Sequence, residues 1–197
     1  MKISTKTLIV VLGFLALTAI SIIGISAYFS FQNLESFSKT YNDTAHKKAK
    51  DEVKNSVEMA ISMANTLYEK QKSLGKSEEE IKNTVKNALR GMSFNEGAGY
   101  IFAYSQNGER IVHRPAPQTE GENYYNLEDK KGNLLIQQLI EKANAGGGFV
   151  TYYFPKAAGG EPLPKISYGE RFEPYGWMIG TGEYIDNIQE DVLALKA

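Results

Sequence analysis

The sequence contains no cysteine, so neither a disulfide nor a thiolate metal site is open to it. That absence leaves the compartment undecided, because an oxidising space permits disulfides without requiring them. Histidine is nearly as scarce: His46 and His113 are the only two, and no zinc-ligand spacing can be built from them. Neither sign of charge is in excess, with 22 Lys+Arg against 23 Asp+Glu and a net charge of -1, which removes the basic footprint that phosphate backbones require. Ser167 lies in no nucleophile elbow, and no phosphate-binding P-loop occurs. Acidic residues such as Glu170, Glu173 and Glu183 are scattered over turns and outer faces. The expectation is therefore a protein with no catalytic residues, metal, cofactor or nucleic acid partner. Its 197 residues leave room for a membrane segment and one domain.

What is present begins with an uncharged stretch from Thr7 to Leu34, dominated between Leu8 and Phe31 by Leu, Ile, Val, Ala and Phe. A bilayer core needs roughly 20 apolar residues as helix, whereas a secretory signal core needs only about 7–15. A transmembrane helix is expected, with cleavage near Ile25-Ser26-Ala27 as the lesser alternative. Lys2 and Lys6 precede the run and favour a cytoplasmic N-terminus, although Lys47, Lys48 and Lys50 follow it. The domain should then face the periplasm or exterior.

Beyond the membrane, apolar positions from Leu34 to Leu67 recur at steps of three or four, which predicts one long amphipathic helix running unbroken to Gly75. It reads as a stalk able to transmit force. Ser77 and Glu80 match a capping box for a second helix through Ile81, Val85 and Leu89, ending near Gly91 and antiparallel to the first. Tyr100–Tyr104 and Glu109–His113 read as strands joined by an Asn107-Gly108 turn. A long loop over 114–133 leads into a short helix from Leu134 to Lys142, closed by Gly146 to Gly148. Strands are expected at Phe149–Phe154, Lys165–Phe172 and Trp177–Gly182, giving a five-stranded antiparallel sheet, and helical spacing resumes from Tyr184 to Leu195.

Five linked segments, Gly99-Tyr-Ile-Phe102, His113-Arg-Pro115, Gly147-Gly-Phe-Val150, Pro164-Lys-Ile-Ser-Tyr168 and Gly176-Trp-Met-Ile-Gly-Thr-Gly182, resemble the single Cache domain of bacterial chemotaxis receptors and sensor kinases. The resemblance covers roughly residues 31–192. It implies an α+β, PAS-like fold with the long helix on one side of the sheet and a small ligand enclosed on the other, often a short carboxylate such as acetate, propionate, pyruvate or lactate. The expected organisation is a cytoplasmic N-terminus and transmembrane helix at 1–31, the sensor domain at 32–192 and the start of a membrane-proximal helix at 193–197. In that family a second membrane helix, a HAMP linker and a signalling coiled coil normally follow. This sequence stops at Ala197, which leaves open a piece of a longer receptor or a stand-alone anchored binding protein. A pilin-like subunit is a further alternative, disfavoured because no glutamate lies early in the apolar run. A homodimer is expected, since the long helix has more apolar surface than one small sheet can cover.

A buried anion needs a cation or several donors. Lys165, at a strand start, is the first candidate, and His113, at a strand end, is the second. Arg114 competes as a cation, but alternation sends it to the face opposite His113. Tyr100, Tyr153 and Tyr168 can each present a hydroxyl from an apolar ring, and Trp177 a wall. Lys165 and Tyr168 fall on opposite faces of an unbroken strand, so both serve one ligand only across a bulge. Gly180 and Gly182 allow close approach, and Tyr124 and Tyr125 are candidates for a lid.

Overall fold

The computed structural model describes residues 4–156, 159–186 and 188. Helix α1 runs Thr5–Ser73. The described residues fall into two compact units, one within residues 4–44 and one within residues 45–188.

In the first unit, α1 carries a stretch long and apolar enough to cross a membrane, none of it buried against protein. Leu8, Val10, Phe14, Leu17, Ile22 and Phe29 all stand open.

The second unit is a sheet covered on both faces. Ser77 Oγ accepts from the Glu80 amide at 3.3 Å while the Glu80 carboxylate accepts from the Ser77 amide at 3.0 Å, and this reciprocal cap starts α2, Glu78–Gly91. A two-stranded ribbon follows, β1 (Ser93–Phe94) with β2 (Gly99–Tyr100). The main sheet comprises β3 (Phe102–Tyr104), β4 (Arg110–His113), β5 (Gly148–Pro155), β6 (Pro162–Phe172) and β7 (Trp177–Tyr184). Its order is β4-β3-β7-β6-β5, with every neighbouring pair antiparallel. Helix α3, Leu135–Asn144, lies between β4 and β5 in sequence. Gly108, at φ +84°, closes the β3–β4 turn where a Cβ would meet the Tyr125 backbone.

Strand alternation sorts the side chains into two cores. Ala103, Val112, Tyr168, Phe172, Trp177 and Ile179 pack against Val53, Val57, Ala60 and Ala64 of α1 and Val85 and Leu89 of α2. On the opposite face Phe102, Tyr104, Val150, Tyr152 and Met178 pack against Leu135, Ile136, Leu139 and Ile140 of α3. The five-stranded antiparallel sheet and the long helix agree with the sequence reading. The single strand expected over residues 100–104 is instead broken at Ile101, which sends Tyr100 into the small ribbon and Phe102 into the main sheet. The helix expected from Tyr184 to Leu195 lies largely outside the described residues.

Gly180 on β7 faces α3, and a Cβ there would strike the Phe102 ring and lie 2.9 Å from the Tyr168 carbonyl oxygen. Gly180→Ala should therefore cost about 1–3 kcal/mol through overpacking, read as a lowered denaturation midpoint at unchanged slope.

Candidate functional site

On the α3 face the sheet does not close completely. A cavity of about 20 Å3 remains, lined by Tyr100, Phe102, Tyr104 and His113 on one side, Tyr152, Phe154 and Lys165 on the other, and Leu135, Ile136 and Leu139 of α3 above. It holds about one water before any side chain moves.

Lys165 is 2% exposed. Its register places it between Tyr152 of β5 and Tyr184 of β7, and Gly182, two residues back on β7, makes room for it: a Cβ there would lie 2.8 Å from Lys165 Cε and would collide with Ser167 Oγ. The ammonium sits over three aromatic rings, 4.7 Å from the centre of Tyr184, 5.0 Å from Tyr100 and 5.8 Å from Phe154. Among the described residues it has neither a hydrogen bond nor an ion pair. Burial pulls its pKa down to about 8, with the Glu183 charge opposing, so it remains largely charged at neutral pH.

His113 is buried, its Nδ1 has no hydrogen-bond partner, and its ring stands edge-on to Tyr100 at 5.5 Å. Burial, reinforced by the Arg110 and Lys165 charges, lowers its pKa to about 4, so the imidazole is neutral at pH 7 and offers one donor and one acceptor. Tyr100 is pushed up to about 12 by burial and keeps its proton. Below the cavity Tyr152 Oη and Ser167 Oγ share a hydrogen bond of 2.8 Å. The site therefore offers one cation, neutral polar groups and an apolar roof, an arrangement that can receive a small anion.

Behind His113 the chain is held by Glu120. Its carboxylate accepts from the His113 backbone amide at 3.0 Å and pairs with Arg90 of α2, with Lys86 at 3.9 Å.

Of the residues proposed from sequence, the structure brings Lys165, His113 and Tyr100 to one cavity. Tyr168 is not there: β6 runs without a bulge from Lys165 to Phe172, so Tyr168 points to the α1 face, where its hydroxyl donates to Glu170 at 3.2 Å. Trp177 packs on that same face. Tyr153 alternates outward on edge strand β5, under Lys130 and Lys131 at 4.3 and 4.5 Å. Arg114 follows His113 out of the sheet and is exposed. The sequence reading missed Tyr152, Tyr104, Phe154, Tyr184 and Ser167. For Tyr152 a signal existed: Thr151 is the polar member of its alternating run, which turns Val150 and Tyr152 inward. Tyr124, a candidate lid residue, stacks on Arg110.

The comparisons with known proteins agree with this architecture. A family model described as the Cache domain matches residues 30–194, and the chain belongs to that family. It carries a Cache sensor domain of the kind found in chemotaxis receptors and sensor kinases. It is 31% identical over 181 residues to the sensor histidine kinase MctS of Rhizobium johnstonii, covering 90% of this chain and 38% of that protein. It is 29% identical over 93 residues to the methyl-accepting chemotaxis protein McpP of Pseudomonas putida, 47% of this chain and 17% of that one. The chain thus spans well under half the length of these relatives. A crystal structure of a methyl-accepting chemotaxis protein from Vibrio parahaemolyticus matches with a TM-score of 0.68 at 30% identity, covering 77% of this chain and 98% of that chain. A Cache chemosensory domain solved for its carboxylic acid recognition matches with a TM-score of 0.65 at 24% identity, over 73% of this chain and 98% of that one.

The buried ammonium makes a prediction about stability. The folded pKa of Lys165 lies below the ordinary lysine value of 10.5, so between about pH 8 and 10 the unfolded chain binds more protons and folding gains stability as pH rises. Lys165→Met should raise the stability of the ligand-free chain at pH 7 by on the order of 3 kcal/mol, and the gain should shrink towards pH 10. Paired denaturant titrations at the two pH values measure it. A pH-independent difference would show that the ammonium is not desolvated.

Proposed function

We propose that the chain is the ligand-sensing part of a membrane-anchored receptor and that its cavity binds a short monocarboxylate, with Lys165 as counter-ion and His113 and Tyr100 as hydrogen-bonding partners. The observation that carries this reading is the isolation of Lys165: an ammonium 2% exposed with aromatic rings around it and, among the described residues, no ion pair, the Glu183 charge acting on it only from a distance. An uncompensated buried charge costs several kcal/mol. A carboxylate entering the cavity removes that cost, and the resulting charge-assisted contacts are among the stronger ones available. A neutral molecule would leave the cost in place.

Size and lining narrow the class. A cavity with room for about one water must widen even for acetate, which confines the ligand to few heavy atoms, and the Leu135, Ile136 and Leu139 roof suits a methyl or ethyl group better than a second carboxylate. The carboxylic acid recognition described for the similar Cache chemosensory domain supports the same class. The apolar stretch of α1 supports membrane anchoring, and the lysines at Lys2 and Lys6 support an outward-facing domain. The same reading takes the receptor as a homodimer, supported by the exposed apolar side chains Phe37 and Met59 on α1.

The test is a thermal-shift and calorimetric screen of the whole chain in detergent micelles against acetate, propionate, succinate, acetamide and ethylamine. Acetate or propionate should raise the melting temperature, by an amount equivalent to about 2.7 kcal/mol at a hundredfold excess over Kd, and Lys165→Met should abolish the effect. Stabilisation by ethylamine instead, or by none of the acids, would overturn the reading.

A further inference from the structure

Strict alternation along β4 would put Arg110 and His113 on opposite faces, since they are three positions apart. The sheet register shows otherwise. Ala103 pairs with Val112, but Tyr104 pairs with Arg110, so Ile111 is an extra residue, a β-bulge that reverses the parity of the strand. Arg110 and His113 thereby reach the same side of the sheet, the side that carries the cavity.

Arg110 is 5% exposed and, among the described residues, has no carboxylate partner. Its guanidinium lies 3.5 Å from the centre of the Tyr124 ring, whose hydroxyl donates to Glu122 at 2.6 Å. Nη1 donates to Thr119 Oγ1 at 2.5 Å, and Thr119 passes its own hydrogen to the Ala116 carbonyl at 2.7 Å. Nε donates to Tyr104 Oη at 3.0 Å. Tyr104 lines the cavity and Arg110 does not.

A guanidinium has donors only, and a phenol has a single hydrogen to give. Because Arg110 Nε–H occupies an acceptor position on Tyr104 Oη, the phenolic hydrogen is left without a partner among the described residues, on a side chain that faces the cavity. A positive charge on the oxygen also makes the hydroxyl a stronger donor, and the Arg110 charge opposes the upward push that burial gives the Tyr104 phenol. Resting on the reading of the cavity as a carboxylate site, we infer that Arg110 is a positioning residue for that site: it fixes the Tyr104 hydroxyl as a donor into the cavity, opposite Lys165. The cavity then meets an anion with the ammonium on one side and a hydroxyl whose acceptor role is already taken on the other.

A double-mutant cycle separates this from a merely structural stack. Acetate and propionate affinities are measured calorimetrically on the whole chain in micelles for the parent, Tyr104→Phe, Arg110→Gln, Arg110→Lys and the Tyr104→Phe/Arg110→Gln double variant. Each of Tyr104→Phe and Arg110→Gln should weaken binding about tenfold, the double variant should be no weaker than either single one, and Arg110→Lys should recover part of the loss. An additive loss of about a hundredfold in the double variant, or unchanged affinity in Arg110→Gln, overturns the inference. If the parent binds neither acid, the carboxylate reading fails by itself, and Arg110 is judged from the ligand-free chain carrying 13Cζ-labelled tyrosine. A Tyr104 resonance that moves in Arg110→Gln and is partly restored in Arg110→Lys supports the positioning contact, and one unchanged in both overturns it. Where Arg110→Gln is poorly folded, Arg110→Lys is read against the parent: a Tyr104 resonance displaced from the parent position supports the contact, and one unchanged overturns it.

Discussion

The sensor domain buries a charge that forms no ion pair among the described residues. A lysine can be buried on a sheet face only if something receives its ammonium, and among the described residues the π-faces of Tyr100, Tyr184 and Phe154 do so, with the Glu183 charge helping from further away. Cation–π contacts offset part of the desolvation, each on the order of 0.5–2 kcal/mol, and they fall short of what an ion pair in the same place would return. The neighbouring glycine, the neutral imidazole and the aromatic walls follow from this arrangement: space is made for the lysine stem, and a second charge beside it is suppressed. The fold is thereby kept short of its own stability optimum at this cavity, the trade between stability and function that a binding site there would make.

The two faces of the sheet divide the work. The α1–α2 face is closely packed, with Val57, Ala60, Ala64, Val85 and Leu89 fully buried. The α3 face is packed by Leu and Ile from one short helix and leaves the cavity. Tertiary packing of one rigid face therefore supports a second face that can afford polar groups, as expected where a site is carried on rigid elements.

Much of this was legible in the residues. The capping box at Ser77 and Glu80, the Asn107-Gly108 turn and the alternating strands each have a local cause, and local causes can be read without coordinates. The site was legible only in part. Lys165, His113 and Tyr100 follow from motif position and the need for a cation, but Tyr153 was chosen where its neighbour Tyr152 faces inward, although Thr151 marks the outward parity. Tyr168 and Trp177 lie on the right strands and the wrong face. Arg110 could not be found by alternation at all, because the bulge at Ile111 is a property of how β3 and β4 pair, and pairing is not written in either strand alone. That the short helix covers the cavity face came from the family resemblance and not from the residues themselves, because which sheet face a helix covers depends on long-range contacts.

Glu120 carries one more consequence. Its single carboxylate grips the backbone at the tip of β4 and the side chains of Arg90 and Lys86, so the rim of the cavity and the far end of α2 are stitched together by one residue. The histidine cannot retreat along its strand without either dragging that helix end with it or tearing the stitch. A shift felt at the rim is in this way delivered to a helical element well outside the reach of any molecule small enough to fit inside.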